Sequence, residues 1–122
     1  MNVIYYYGVK IDCNSKRGKQ MTDLSNVSVI LPSLDPDEKL NAVIDGLLSQ
    51  GFTDIILVND GSKPENLHYF TDAAAAHPEI QLLHHEVNRG KGAALKTAFT
   101  WFLENRPQGQ AVVTVDGDNQ HH

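Results

Sequence analysis

Strand-like and helix-like segments alternate along this chain, and that alternation leaves few folds open to it. Short apolar runs stand at Val27–Leu31 (VSVIL), Asp54–Val58 (DIILV), Ile80–Leu83 and Val112–Val115 (VVTV), with helical periodicity between them. Strands joined through helices run parallel, and the connecting helices cover the sheet on both faces. Three β-α units and a fourth strand therefore predict an α/β architecture with a mostly parallel, Rossmann-like sheet. In such a sheet all strands open at one edge, and ligands bind beyond their carboxyl ends.

The punctuation supports this reading. Pro32 stops the first strand, because proline brings no N–H to a ladder. Asp35 reads as a helix N-cap, with Pro36 at the first helical position and Glu38 completing an arrangement like a capping box. Leu40, Val43, Ile44, Leu47 and Leu48 form one apolar stripe, and Gly51 ends the helix. Pro64 opens a second helix that runs to about His77, where Pro78 follows. A third begins after the glycine-rich turn at Asn88–Gly92 and turns Ala94, Leu95, Ala98, Phe99 and Phe102 inward. Residues 1–26 read as a loose N-terminal extension ahead of one domain at 27–122, although Val3–Tyr7 has strand character.

Composition narrows the function. The chain has 122 residues, enough for one domain, and 41% hydrophobic with 20% charged residues is ordinary for a folded protein. A net charge of -5 disfavours a nucleic-acid surface. The single Cys13 makes neither an internal disulfide nor a cysteine-based zinc site, which fits a reducing, cytoplasmic location. Apolar runs of membrane-spanning length are missing, and so is a signal-peptide core.

Four strand ends carry polar groups, at Pro32–Glu38, Asn59–Ser62, Asn88–Gly92 and Asp116–Gln120, and a parallel sheet gathers all four at one edge. Asp116 and Asp118 stand two residues apart across Gly117 and can reach one divalent cation together. Gln120 continues the same alternation with a carbonyl oxygen. Oxygen donors of this type accept Mg²⁺ or Mn²⁺. Asp60 can accept hydrogen bonds from a nucleotide base or serve as a local Asx turn. Arg89 and Lys91 flank Gly90 at a helix start, a place where backbone N–H groups and cations meet anions. The adjacent His84 and His85 point to opposite faces and read as exposed or core-edge residues, not as a joint metal site.

A P-loop is absent, as GKGA lacks the leading glycine and the hydroxyl residue. The first strand is followed by PSLDPD, not by a dinucleotide-binding glycine motif, and there is no nucleophile elbow.

Taken together, VSVILPSLDPDEKL, ILVNDGS, NRGKGAALKTAF and VVTVDGDNQHH resemble, in order and spacing, the inverting family 2 glycosyltransferases of the GT-A fold, particularly the polyprenyl-phosphate mannose or glucose synthase type. The resemblance covers Val27 to His122 and implies a nucleoside-diphosphate sugar, UDP- or GDP-linked, as donor. It implies Pro32, Leu34 and Asp60 around the base, Glu38 and Lys91 near the nucleotide, Asp116 and Gly117 at the diphosphate, and Asp116, Asp118 and Gln120 on the metal. Leu34 stands where the family has Tyr, which removes a stacking contribution of ~1 kcal/mol. Asn59 replaces the first Asp of the family's D-D-G-S, and Asp37 or Glu38 takes the place of its Glu.

The acceptor, a lipid phosphate or glycan, and the carboxylate that deprotonates it are expected beyond His122, so the chain reads as the donor-binding half with little or no transferase activity by itself. Two other readings are an inactive remnant that at most binds nucleotide, and a sugar-phosphate nucleotidyltransferase, which the acidic PSLDPDE turn disfavours. Half a sheet is also expected to leave the outer edge of the fourth strand open to self-association.

Overall fold

The computed structural model describes residues 4–6, 9–11, 26–106 and 110–115. In chain order the elements are β1 (Ile4–Tyr6), β2 (Val9–Ile11), β3 (Val27–Ser33), α1 (Lys39–Ser49), β4 (Ile55–Asp60), a 3₁₀ turn at Pro64–Asn66, α2 (Leu67–Ala76), β5 (Ile80–His85), α3 (Lys91–Asn105) and β6 (Ala111–Thr114). They build one sheet in the order β2-β1-β6-β3-β4-β5. β3 pairs in parallel with both β4 and β6, and β4 with β5. The α/β architecture read from the sequence is therefore present.

Both central strands are buried throughout, as near-continuous apolar runs require when helices cover both faces. Alternate residues divide between two cores. Val29, Leu31, Ile55 and Leu57 pack with Leu40, Ile44 and Leu47 of α1 and Phe70 of α2. Ile30, Ile56 and Val58 pack on the other face with Ala94, Ala98 and Phe102 of α3. The small residues of α3 let it lie close to the sheet.

Three expectations change. First, Ile4–Tyr6 and Val9–Ile11, within the stretch read as a loose extension, are strands. β1 pairs antiparallel with β6 through Tyr5↔Thr114 and Tyr6↔Val113, and β2 pairs with β1. β6 thus has a neighbour on its outer side, and the edge expected to be open is occupied over this stretch. Such pairing joins residues more than a hundred positions apart, and no local pattern announces it. Second, Asp35 does not cap α1. It adopts φ 48°, a conformation that Asp tolerates better than most residues. The helix starts at Lys39 with Glu38 as its cap residue and no side-chain capping bond, while Asp37 Oδ1 accepts from the Lys39 N–H at 2.9 Å. Third, β4 and β5 run two residues past their expected ends, which places Asn59, Asp60, His84 and His85 inside the sheet.

At the amino-terminal edge of the sheet, Ser28 Oγ donates to Asp54 Oδ2 and accepts from Gln110 Nε2. Arg106 grips the same carboxylate with Nε at 2.8 Å and Nη2 at 2.7 Å. This bidentate bond raises the Arg106 pKa above its ordinary value. The guanidinium also lies 4.6 Å from the Trp101 ring centroid. The end of α3 is thereby tied to β3 and β4 at the edge opposite the candidate site.

Candidate functional site

β4 and β5 extend from β3 on one side and β6 lies on the other, so the strand order reverses between β3 and β6. A crevice at such a reversal is where open α/β sheets hold ligands. A cavity of about 230 Å³ opens at this edge, lined by Pro32, Ser33 and Leu34 of the β3 end, Asp60 of β4, and Asn88, Gly90 and Lys91 of the loop and helix start after β5.

Asp60 is the most constrained of these residues. It is 4% exposed, and three donors meet its carboxylate. Oδ1 accepts from His85 Nδ1 at 2.9 Å and from the Arg89 N–H at 3.0 Å, and Oδ2 accepts from the Gly90 N–H at 3.0 Å. Burying a carboxylate is costly without such partners. Two N–H groups of the glycine-rich turn, expected to face a bound anion, thus hold an anion of the protein itself. Gly90, at φ 95°, makes the bend that lets both reach it.

Of the two expected placements, exposed or core-edge, His85 takes the second: it is 8% exposed at the end of β5, and both ring nitrogens have partners. Its Nδ1–H donates to Asp60, and Nε2 is in hydrogen-bond contact with Thr97 Oγ1 of α3 at 2.8 Å. The parallel register puts Asp60 and His85 side by side, and the available signal was that both residues end neighbouring strands. His84, one residue earlier, faces the opposite side, where its Nδ1 accepts from Asn59 Nδ2 at 3.0 Å. Asn59, not Asp60, makes the local turn, with Oδ1 accepting from the Ser62 N–H.

The loop after β3 is fastened to the loop after β4. The Asp35 N–H donates to Ser62 Oγ at 2.8 Å, and Asp35 Oδ1 accepts from the Lys63 N–H at 2.7 Å and from Asn66 Nδ2 at 3.1 Å. The Lys63 bond, then that of Asn66, holds the Asp35 carboxyl below its ordinary value of 3.8. Gly61, at φ 78°, completes the packing by lying directly under the backbone of Val87 and Asn88.

Of the residues singled out in the sequence, Pro32, Leu34, Asp60 and Lys91 come together around the cavity. Glu38 stands apart from its lining, exposed at the start of α1. Asp116, Gly117, Asp118 and Gln120 lie outside the described residues, which reach Val115, whose N–H donates to the Ile30 carbonyl at 3.0 Å. Among the described residues no group of three or more His, Cys, Asp or Glu side chains could hold a metal, and no helix is long and apolar enough to cross a membrane.

Comparison with known proteins bears on the family and the fold. The chain is 42% identical over 65 residues to a dolichyl-phosphate beta-glucosyltransferase of Trichomonas vaginalis, covering 53% of this chain and 18% of that protein. It is 31% identical over 106 residues to an undecaprenyl-phosphate 4-deoxy-4-formamido-L-arabinose transferase of Pectobacterium carotovorum, covering 81% of this chain and 31% of that protein. An uncharacterized protein of Methanocaldococcus jannaschii is 27% identical over 109 residues, covering 88% of this chain and 42% of that protein. The chain thus spans less than half the length of these relatives. Among solved structures, the Pyrobaculum calidifontis mannosyltransferase PcManGT, in complex with GDP-Man and Mn²⁺, shares the fold with a TM-score of 0.62 at 23% identity, covering 76% of this chain and 27% of that one. Residues 28–122 match Glycosyl transferase family 2, and the chain belongs to that family of glycosyltransferases.

Proposed function

We propose that this chain forms the donor side of an inverting glycosyltransferase: it binds a nucleoside-diphosphate sugar whose glycosyl group passes to a polyprenyl phosphate or glycan. The observation that carries the reading is the cavity at the carboxyl edge of the sheet, where Pro32, Leu34, Asp60 and Lys91 converge at the reversal of strand order. Pro32 and Leu34 offer apolar contact to a base, Asp60 an acceptor for its N–H, and Lys91, at the start of α3, a positive charge for phosphate.

Asp116, Asp118 and Gln120 follow β6 in sequence and supply the oxygen donors that a hard divalent cation takes. Mg²⁺ or Mn²⁺ bound there would neutralise the diphosphate and improve it as a leaving group. A solved protein of this fold is a complex with GDP-Man and Mn²⁺, and relatives are named for transfer to dolichyl or undecaprenyl phosphate, which supports this donor, metal and acceptor chemistry. In an inverting transfer the acceptor oxygen attacks the anomeric carbon on the face opposite the diphosphate, which departs with the bonding pair; a glycan hydroxyl gives its proton to a base, whereas a phosphate attacks through an oxygen already ionised.

The test is calorimetric titration of the chain with UDP and with GDP, in Mn²⁺ and in EDTA, repeated on Asp118→Ala. Binding that needs metal and weakens at least about tenfold in the variant, ~1.4 kcal/mol, is the expected result. A chain that melts cooperatively and binds neither nucleotide overturns the reading.

A further inference from the structure

A carboxylate has about four acceptor positions, two on each oxygen. In Asp60 both positions on Oδ1 are filled, by His85 Nδ1 at 2.9 Å and the Arg89 N–H at 3.0 Å, and one on Oδ2 is filled by the Gly90 N–H at 3.0 Å. The position that remains is the second one on Oδ2, in a residue that lines the cavity. We infer that His85 and the turn at Arg89 and Gly90 restrict Asp60 to one acceptor position, and that the cavity therefore selects a base with a single imino N–H between two carbonyls, uracil or thymine, over guanine. This rests on the donor-site reading above and goes beyond it by naming the base.

The chemistry of the two bases separates them. Guanine presents adjacent N1–H and N2–H donors, and one carboxylate satisfies both only by offering its two oxygens side by side. Here Oδ1 is unavailable, so Asp60 pairs only one of guanine's two donors, and the other forgoes its acceptor on this carboxylate, which is costly in a buried site. Uracil presents only N3–H and leaves nothing unpaired at this contact. His85 is the positioning residue in this arrangement. Thr97 Oγ1 engages its Nε2 at 2.8 Å, which keeps Nδ1–H directed at Asp60. Specificity that arises from leaving a wrong partner's polar group unpaired exceeds what apolar contact achieves.

Calorimetric titration of the chain with UDP, dTDP and GDP in Mn²⁺ tests the inference. UDP or dTDP binding at least about tenfold tighter than GDP supports it, and the tighter of the two names the base. Equal or tighter binding of GDP overturns it and leaves the donor-site reading standing, whereas no binding of any of the three overturns both. The ratio of UDP to GDP affinity in two variants then tests His85, because a general loss of stability does not alter a ratio. His85→Leu frees a position on Oδ1 and is expected to lower the UDP preference by about tenfold, while His85→Asn retains a donor near Nδ1 and is expected to keep it. An unchanged ratio in His85→Leu overturns the role of His85. Should that variant unfold, the wild-type affinities still decide the base.

Discussion

Gly61→Ala is expected to be among the most damaging single-methyl changes in the chain, although the residue lies at a loop start. Gly61 has φ 78°, where an alanine costs about 1–2 kcal/mol in backbone strain. An added Cβ would also collide with Asn88 N and Val87 C and come within 2.7 Å of Asn88 Cα, all backbone atoms that no rotamer change moves aside. Overpacking of this kind costs about 1–3 kcal/mol. Relief requires the Val87–Asn88 segment to lift, and that strains the bonds from Arg89 N and Gly90 N to Asp60. Losing one hydrogen bond to a charged group adds about 1.5 kcal/mol or more. The sum is about 5 kcal/mol, a large part of the 5–15 kcal/mol that typically stabilises a domain.

Gly90→Ala is the matched control. Gly90 has φ 95° but nothing within 4 Å of an added Cβ, so only the backbone strain of about 1–2 kcal/mol applies. Urea denaturation followed by circular dichroism reads the difference, and at a slope of 1–3 kcal/mol/M the two midpoints should differ by at least about 1 M. Nucleotide affinity should follow the same order, since the lifted segment borders the cavity. Equal midpoints for the two variants would refute the claim that contact with the Asn88 backbone, and not φ alone, fixes Gly61.

Arg106→Ala is expected to destabilise by about 2 kcal/mol, between the values for exposed and fully buried pairs, because Asp54 and Arg106 are 14% and 24% exposed. Arg106→Lys should recover less than half of this in the same urea titration, as Lys lacks the two-pronged geometry; full recovery would count against the bidentate bond as the cause. The Asp35 carboxyl has a lowered folded pKa, so its contribution is complete above the ordinary value of 3.8 and is lost as pH falls through the lower folded value. Asp35→Asn, which keeps an acceptor oxygen and tolerates φ 48°, should therefore flatten that acid limb in a pH series of thermal melts while costing under about 1 kcal/mol at pH 7; an acid limb identical to wild type would show that Asp35 is not its source.

The parts of the fold that were legible are those whose signal is local. Leu40, Ile44 and Leu47 announce α1 by their spacing, and the β-branched runs announce the central strands, because a face buried by every neighbour leaves a run or a stripe in the sequence itself. What was not legible depends on partners distant in the chain. Asp35 carries the composition of an N-cap, yet its bonds go to Ser62, Lys63 and Asn66, 27 to 31 residues away, and they outweigh a cap contribution of ~1 kcal/mol. Ile4–Tyr6 and Val9–Ile11 enter the sheet only because β6, at the far end of the chain, offers them an edge. Within the site, the cluster of Pro32, Leu34, Asp60 and Lys91 followed from parallel topology alone, whereas the engagement of His85 required the register between β4 and β5.

In the proposed donor site Asp60 has a recognition duty beside its structural one, and the pairing bears on how the site responds to change. A buried carboxylate with three donors forms the turn at Arg89 and Gly90 before any ligand arrives, so the cavity wall is organised in advance and little ordering remains to oppose binding. The same saturation leaves few acceptor positions for recognition. Because the structural bonds and the recognition position share one side chain, Asp60→Ala removes both at once, and a loss of binding would report the collapsed turn as readily as the missing contact. His85 meets the same carboxylate from β5, behind the turn, and touches it through a single atom. Leu there frees an acceptor position on Oδ1 and Asn keeps it filled, while the two backbone donors of the turn stay in place in both. If the proposed donor site selects its base through Asp60, the polar chain from Thr97 through His85 to Asp60 is the point at which that selection can be altered separately from the integrity of the site.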